Sequence, residues 1–293
     1  HEALARLRRR SGVLGEDEHE PVRSNGSPLP STAVSADVLG DLNEQLLAVP
    51  EGFTIHPKLL PQLERRREAM GAEGGITWAH AEALAFASLL TEGVPVRLTG
   101  QDTARSTFSQ RHLELHDMGE GETWTPHTGR VWTPMSHLKG ASASFELFNS
   151  PLSEAAAVGF EYGYSTAAHE ALVLWEAQYG DFVNGAEIIV DQFIIAGLAK
   201  WRQTSRLTLL LPHGYEGSGP EHSSARLERF LALGAEGNIR VVYPTTPAQY
   251  FRFFREVLTP VDRAAVITFA DAPRLAVRFT NKLELLAGGL AGL

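Results

Sequence analysis

The chain has 293 residues, a formal net charge of −9 and no cysteine. The lack of cysteine excludes disulfides, cysteine-ligated metal sites and thiol nucleophiles, and the acidic balance disfavours nucleic acid as a partner, because phosphate binding needs a basic surface. Hydrophobic residues make up 43% of the chain, which is enough for a core. No uninterrupted apolar run approaches the ~20 residues that cross a bilayer, so we expect no membrane partner.

Before residue 76 the sequence predicts few regular elements. Residues 15–34 are rich in Glu, Pro, Ser and Gly, which indicates a flexible connector. Residues 35–49 fit one helix, whose apolar side would be formed by Val38, Leu39, Leu42, Leu46 and Leu47. The run Arg65-Arg66-Arg67 could bind an anion, but a solvated helix face is the simpler interpretation.

From residue 76 onward, helical and strand patterns alternate. Helices are predicted at 78–90, 153–164, 184–200, 223–233 and 248–257, and strands at 94–98, 171–175, 207–211, 239–243 and 264–269. The strands are continuous apolar runs, which indicates burial on both faces. Helices between such strands indicate right-handed crossovers, so the predicted fold class is α/β, a parallel sheet flanked by helices.

Two further expectations concern this half of the chain. Thr246 is placed to cap the last helix, and the helix at 184–200 should bury Ile188, Ile189, Phe193, Ile194 and Leu198. The polar stretch 100–150 is too long for a simple connector, which is typical of a functional or disordered segment.

Ligand sites in parallel sheets form at the carboxyl ends of the strands. One such segment runs from Trp175 to Phe182 and offers acids, an amide and aromatic rings, although an ordinary turn with core aromatics fits equally well. Another, 212–224, contains His213, His222 and several glycines, which let the backbone approach a ligand. Glu154 follows the predicted helix cap Ser153 and could be a functional acid or merely a carboxylate favoured by the helix dipole.

Three other kinds of site are disfavoured. His112 and His116 have the spacing of a metal-binding pair on a helix, but a third ligand is missing, and we predict no metal site. The chain has no G-x-S-x-G motif, which disfavours a serine hydrolase. It also has no glycine-rich nucleotide loop with a Walker lysine.

Several motifs together resemble the thiamine-diphosphate-dependent 2-oxoglutarate dehydrogenases, in their decarboxylating first component. They include Asn149-Ser150-Pro151-Leu152-Ser153-Glu154, Leu174-Trp175-Glu176-Ala177-Gln178-Tyr179-Gly180-Asp181-Phe182, Thr107-Phe108-Ser109-Gln110-Arg111-His112 and Pro244-Thr245-Thr246-Pro247. The resemblance covers about residues 50–257. It implies a transketolase-like pyrimidine-binding domain at 51–258, a connector at 1–50 from an upstream diphosphate-binding domain, and an atypical tail at 259–293 that suggests truncation or a frameshift.

The resemblance also implies roles for single residues. Glu154 would hydrogen-bond the aminopyrimidine ring of thiamine diphosphate, and Phe182 would stack on that ring. Gln178, Tyr179 and Asp181 would line the same wall. His213 would be the catalytic histidine beside the substrate. His222 and His112 are weaker candidates for substrate binding.

The sequence departs from the family in two respects. It lacks the Gly-Asp-Gly and Asn-Asn motif that holds magnesium and the diphosphate, so the chain alone should be inactive. Ser106 stands where the family has glycine, which matters if the backbone there is left-handed.

By resemblance we expect a homodimer, a lipoyl-bearing succinyltransferase partner in the tricarboxylic acid cycle, and a location in the cytoplasm or, in eukaryotes, the mitochondrial matrix. A 2-oxoadipate dehydrogenase and a non-catalytic relic domain remain alternatives.

Overall fold

The computed structural model describes residues 32–119, 129–214, 219–235, 237–256 and 264–269, the last range by its backbone alone. All of them belong to one unit, Ser31–Leu293. The predictions for residues 1–31, and for the tail beyond residue 269, lie outside the described residues.

Helices and strands alternate through the described part of the chain. The helices are α1 (Ala36–Leu47), α2 (Leu60–Glu68), α3 (Trp78–Thr91), α4 (Glu154–Ala167), α5 (Glu187–Ile189), α6 (Gly197–Trp201), α7 (Leu227–Leu233) and α8 (Pro247–Glu256). The strands are β1 (Val96–Gly100), β2 (Leu115–His116), β3 (Val131–Trp132), β4 (Phe145–Asn149), β5 (Leu172–Glu176), β6 (Leu207–Pro212), β7 (Ile239–Val242) and β8 (Ala264–Phe269).

Six strands form one parallel sheet in the order β4-β1-β5-β6-β8-β7. Strands β2 and β3 pair separately as a short antiparallel ribbon. Helices separate most consecutive strands of the large sheet, as crossover connections between parallel strands require. The predicted α/β class with a helix-flanked parallel sheet is therefore confirmed.

The pleat of the central strand divides the core into two layers. Leu172 and Leu174 of β5 pack with α1, α3 and α8, whereas Val173 and Trp175 pack with α4 and α7. Every residue of β5 is buried, because helices cover both faces of the sheet. This is why the strand reads as a continuous apolar run instead of an alternating one.

Helix α1 packs within the first of these layers. Leu39 and Leu42 are buried against α3, and Ser35 caps α1 by accepting a hydrogen bond from the Val38 amide. Val38 itself is 45% exposed, contrary to the prediction. The packed unit thus includes residues that the sequence analysis assigned to a connector.

The helix predicted at 184–200 is broken into several pieces. A 3-10 turn at Gly180–Ala186 leads into α5, a π-helical turn at Val190–Ile194 and then α6. Burial of Ile188 and Phe193 was predicted wrongly, since they are 65% and 39% exposed.

The same stretch, Gly180–Trp201, is long and apolar enough to cross a membrane by length and composition, with 28% of its most apolar window buried. A single helix of this kind is weak evidence, and this one contains Asp181, which is held by a neighbouring loop. The expectation of no membrane partner stays a prediction.

Two other elements differ from the sequence-based prediction. Arg66 is neither solvated nor an anion site, because its side chain is buried and donates to the carbonyl oxygens of Gln110 and Arg111. Strand β4 was not predicted. It lies at the edge of the sheet, where its residues are only partly buried.

Candidate active site

Glu154 begins α4 at the carboxyl edge of the sheet. Ser153 caps the helix, as predicted, by accepting a hydrogen bond from the Ala156 amide. The half-buried Glu154 side chain packs on Gly185 so closely that a Cβ at Gly185 would lie 3.1 Å from Glu154 Oε2. The carboxylate therefore lies against the 3-10 turn that contains Asp181 and Phe182.

An aromatic cluster forms beside this turn from Phe108, Tyr179, Phe182 and His222. The His222 ring centroid lies 4.5 Å from that of Tyr179 and 5.2 Å from that of Phe182, edge to face in both cases. Phe108 completes the cluster at 6.0 Å from Tyr179. The fold thus brings together Tyr179, Phe182 and His222, which the resemblance assigned to the site, and adds Phe108, which had no assigned role.

Asp181 is buried and already bonded within the protein. Its Oδ2 accepts hydrogen bonds from the amides of Ser223 (2.8 Å) and Ser224 (2.7 Å), and its Oδ1 accepts one from Arg226 Nε at 3.1 Å. The side chain therefore holds the 219–226 loop against the 180–186 turn. This geometry gives Asp181 a positioning role, and its predicted contact with a cofactor stays a prediction.

Gly180 allows these two loops to meet. A Cβ at this position would fall on the carbonyl oxygen of Pro212 and lie 2.8 Å from the Ala225 Cα. Only glycine leaves room for so close a backbone approach.

His213 follows β6 and is bonded to the same loop. Its Nδ1 accepts a hydrogen bond from the Ala225 amide at 3.0 Å, and its ring lies edge-on to Tyr243 with centroids 5.7 Å apart. Because Nδ1 accepts, the neutral ring carries its proton on Nε2, where it can be donated. Gln178 follows β5 and is half-buried.

His112 lies in the loop between β1 and β2. The loop is not helical, so the metal-pair spacing with His116 does not apply. His116 lies in β2, and its Nε2 is 3.1 Å from Glu114 Oε1. Burial lowers the pKa of His112; Arg66 and Arg105 lower it further, against a backbone hydrogen bond to Ser109. We therefore expect a neutral imidazole at pH 7.

The same loop contains four non-glycine residues with left-handed backbone, at φ angles from 47° to 67°: Asp102, Ser106, Ser109 and His112. Ser106 is one of them, with φ 67°, so the substitution of the family's glycine falls on a left-handed position. Such strain persists only where the surrounding structure enforces it.

A buried ionic cluster lies beneath the site and was not predicted. Arg111 donates to Glu82 (Nε–Oε1 2.6 Å) and to Glu176 (Nη2–Oε1 2.7 Å). Both carboxylates raise the pKa of Arg111 well above its usual value, although burial alone would lower it. Glu176, which the sequence analysis counted among the acids of a possible site, is thus engaged inside the protein.

The family profile of the transketolase pyrimidine-binding domain matches residues 74–272. The chain belongs to this family. Its pyrimidine-binding fold accounts for the parallel sheet described above, and the transketolase-like domain predicted from the sequence is confirmed.

Relatives of this pyrimidine-binding domain occur within longer proteins. The chain is 53% identical to the 2-oxoglutarate dehydrogenase E1 component of Geobacillus kaustophilus over 87% of its own length and 26% of that protein. It is likewise 53% identical to the E1 component of Bacillus mycoides, over 86% of the chain and 25% of that protein. The resemblance stated above is confirmed, and the chain spans about a quarter of the length of these relatives.

The residues at the carboxyl edge of this domain fit a nitrogen heterocycle. Within the described part of the chain, neither the Glu154 carboxylate nor the buried Nδ1 of His222 has a hydrogen-bond partner, although Glu221 Oε1 lies 3.2 Å from that nitrogen. Both groups border the turn that contains Phe182. A carboxylate beside aromatic faces can bond the edge of a planar ring while the rings cover its face.

Proposed function

We propose that this domain supplies the pyrimidine-binding half of a thiamine diphosphate site in a 2-oxoglutarate dehydrogenase. The observation that carries the proposal is the half-buried Glu154 carboxylate, which packs against the Phe182 turn without a hydrogen-bond partner in the described residues. A carboxylate in that position can hold or release a proton at a ring nitrogen. The 2-oxoglutarate dehydrogenases compared above support the assignment of the substrate.

The other residues have distinct proposed roles. Phe182 covers the pyrimidine face, and Tyr179 and Phe108 exclude water from its edge. His213 donates from Nε2 toward the substrate, while His222 and His112 contribute to binding the substrate carboxylates. Gln178 lines the same wall. When bound, thiamine diphosphate supplies the electron sink for decarboxylation.

In this proposal, the magnesium ion and the diphosphate are held by protein outside this domain, and the working enzyme is a homodimer. The succinyl group passes to the lipoyl-bearing succinyltransferase of the same complex in the tricarboxylic acid cycle. The proposed location is the cytoplasm in preference to the mitochondrial matrix, as the resemblance implies. The chain by itself is proposed to be inactive.

The test is reconstitution. The chain is mixed with a diphosphate-binding-domain partner, magnesium, thiamine diphosphate and 2-oxoglutarate, and carbon dioxide release is followed. Glu154→Gln keeps the side-chain volume but cannot exchange the proton, so we expect it to lower the rate ~10²-fold or more. Glu170→Gln is the matched control, because Glu170 is exposed just before β5, at the opposite edge of the sheet.

Three outcomes separate the alternatives. Full activity in Glu154→Gln would contradict the proposed proton transfer. A folded and dimeric wild-type sample that never releases carbon dioxide would instead indicate a non-catalytic domain that retains the fold. Faster turnover of 2-oxoadipate than of 2-oxoglutarate would keep the chemistry but change the substrate.

A further inference from the structure

The ionic cluster joins segments that are far apart in the sequence. It combines Glu82 of α3, Arg111 of the 101–112 loop and Glu176 at the end of β5, and Tyr250 of α8 donates to Glu82 Oε2 at 2.9 Å. The side chains of Arg111, Glu82 and Glu176 are at most 3% exposed. Removing Arg111 would therefore leave two carboxylates in the core without their cation.

The loop is held on both sides of its chain. On the inner side, Arg111 also donates to the carbonyl oxygen of Thr103 at 3.2 Å, and the Ser106 hydroxyl donates to Glu176 Oε1 at 3.4 Å. On the other side, Arg66 of α2 donates to the carbonyl oxygens of Gln110 (3.1 Å) and Arg111 (3.0 Å). These bonds stabilise a backbone whose left-handed residues would otherwise favour other conformations.

The held loop reaches two parts of the candidate site. Gln101 Nε2 donates to the carbonyl oxygen of Pro151, just before Glu154, at 3.3 Å. Phe108 packs edge-on against Tyr179 in the aromatic cluster. His112, at the end of the loop, directly follows Arg111, so a shift of the Arg111 backbone moves His112 as well.

We propose that Arg111 is a positioning residue of this site: by joining Glu82 and Glu176 it fixes the 101–112 loop across the carboxyl ends of β1 and β5 and so places Phe108 and His112. The meaning of this placement for catalysis rests on the proposed function. The placement itself is a property of the chain and can be measured without any cofactor.

The experiment compares Arg111→Lys with Arg97→Lys in the isolated chain. Arg97 is the matched control, since it also lies between two glutamates, but at the β1–β4 edge. The ring of His112 is titrated by NMR, with His112→Gln used to assign its signal, and amide hydrogen exchange is followed over residues 103–113. We expect Arg111→Lys to raise the pKa of His112 toward its ordinary value and to speed exchange in the loop ~10-fold or more. Arg97→Lys should change neither.

A second variant covers the case in which Arg111→Lys does not fold. Glu176→Gln keeps the volume and an acceptor oxygen but removes one charge. We expect it to raise the pKa of His112 and to speed amide exchange in the loop, both by less than Arg111→Lys does. A folded Arg111→Lys or Glu176→Gln chain with unchanged His112 titration and unchanged loop exchange would overturn the inference.

The reconstituted assay distinguishes this inference from the proposed function. If the function holds, Arg111→Lys should raise the KM for thiamine diphosphate or 2-oxoglutarate more than it lowers kcat, whereas Glu154→Gln should lower kcat. If wild-type chain stays inactive, the proposed function fails, and the titration and exchange measurements still decide whether Arg111 positions the loop.

Discussion

Two arginines of this domain each lie between two glutamates, yet they serve different regions. Arg97 in β1 bonds Glu161 of α4 (2.7 Å) and Glu146 of β4 (2.5 Å), and Arg111 bonds Glu82 and Glu176 beneath the candidate site. The Arg111 side chain is 2% exposed, whereas Arg97 is 11% exposed and its partner Glu146 is 33% exposed. The same ionic pattern is therefore fully enclosed in one region and open to solvent at one end in the other.

The groups that complete each cluster differ as well. Arg111 donates to all four oxygens of its two carboxylates. The hydroxyl groups of Thr103, Ser106 and Tyr250 add a second hydrogen bond to three of these oxygens. Around Arg97, the hydroxyls of Thr99 and Tyr164 also bond the carboxylates. Here, in addition, aromatic rings cover the guanidinium, with the Phe148 and Tyr164 centroids 4.6 Å from its central carbon. Glu146 is also the direct neighbour of Arg97 in the parallel register of β1 and β4. The edge cluster thus reinforces an existing strand pair, while the buried cluster defines the position of a loop.

The largest expected effect is the loss of stability when each of the two arginines is replaced by methionine. Arg111→Met should lower the free energy of unfolding by about 3–5 kcal/mol, because it leaves two carboxylates buried without their cation. Arg97→Met should cost about half as much, since Glu146 can turn to solvent and only Glu161 stays buried. Urea unfolding of both variants measures the difference. Equal losses would mean that burial does not separate the two clusters.

Acid should lower the free energy of unfolding of the domain through His80, a buried histidine in the same helix as Glu82. Burial, together with the smaller effect of nearby Arg66, lowers the pKa of His80 in α3 to about 3. The unfolded chain, with a pKa near 6.5, therefore binds the proton first, and stability falls as the pH drops from about 6.5 toward 3. At pH 5 the loss from this residue should be about 2 kcal/mol relative to pH 7.

The matched variant for this effect is His80→Gln. Its amide can still donate to Asn43 Oδ1, which His80 Nε2 contacts at 2.8 Å, but it does not titrate. Urea unfolding of both proteins at pH 7 and pH 5 isolates the contribution of His80. If wild type and variant lose the same stability, the pKa of His80 is not lowered. The described contacts of Arg97 include no histidine, so Arg97→Lys should leave the pH dependence unchanged.

The elements that were predicted correctly are those that are buried along their whole length or that begin with a local sequence signal. Strands β5 and β6 are buried along their whole length, so an unbroken apolar run identified them. The cap of α8 was also predicted, because a Thr-Pro start is a local signal; the Gln249 amide donates to Thr246 Oγ1 at 3.2 Å. The α4 start at Glu154 followed from the same kind of signal.

The missed features depend on contacts between distant residues. Strand β4 lies at the edge of the sheet with partly exposed residues, so it lacks the unbroken apolar run of a central strand. Arg111, Glu82 and Glu176 are separated by 29 and 65 residues, and hydropathy assigns each of them to the surface. Only the packing of α3 and the 101–112 loop against the end of β5 brings their charges together. This is why the site could be proposed from the sequence while the ionic cluster that supports it could not.

The smallest expected effect tests the strain on the Arg111 side. Ser106→Gly and Ser106→Ala both remove the hydroxyl bond to Glu176, but only alanine keeps a Cβ at φ 67°. A Cβ on a left-handed residue lowers the free energy of unfolding by about 1–2 kcal/mol. Glycine avoids this strain, but its more flexible unfolded chain lowers the free energy of unfolding by about 0.4–1 kcal/mol. We therefore expect Ser106→Gly to be more stable than Ser106→Ala by about 0.5–1 kcal/mol, as measured by thermal or urea unfolding. A more stable alanine variant would show that the loop backbone is not left-handed at this position, and the strain that distinguishes the buried cluster from the edge cluster would then have to come from another residue.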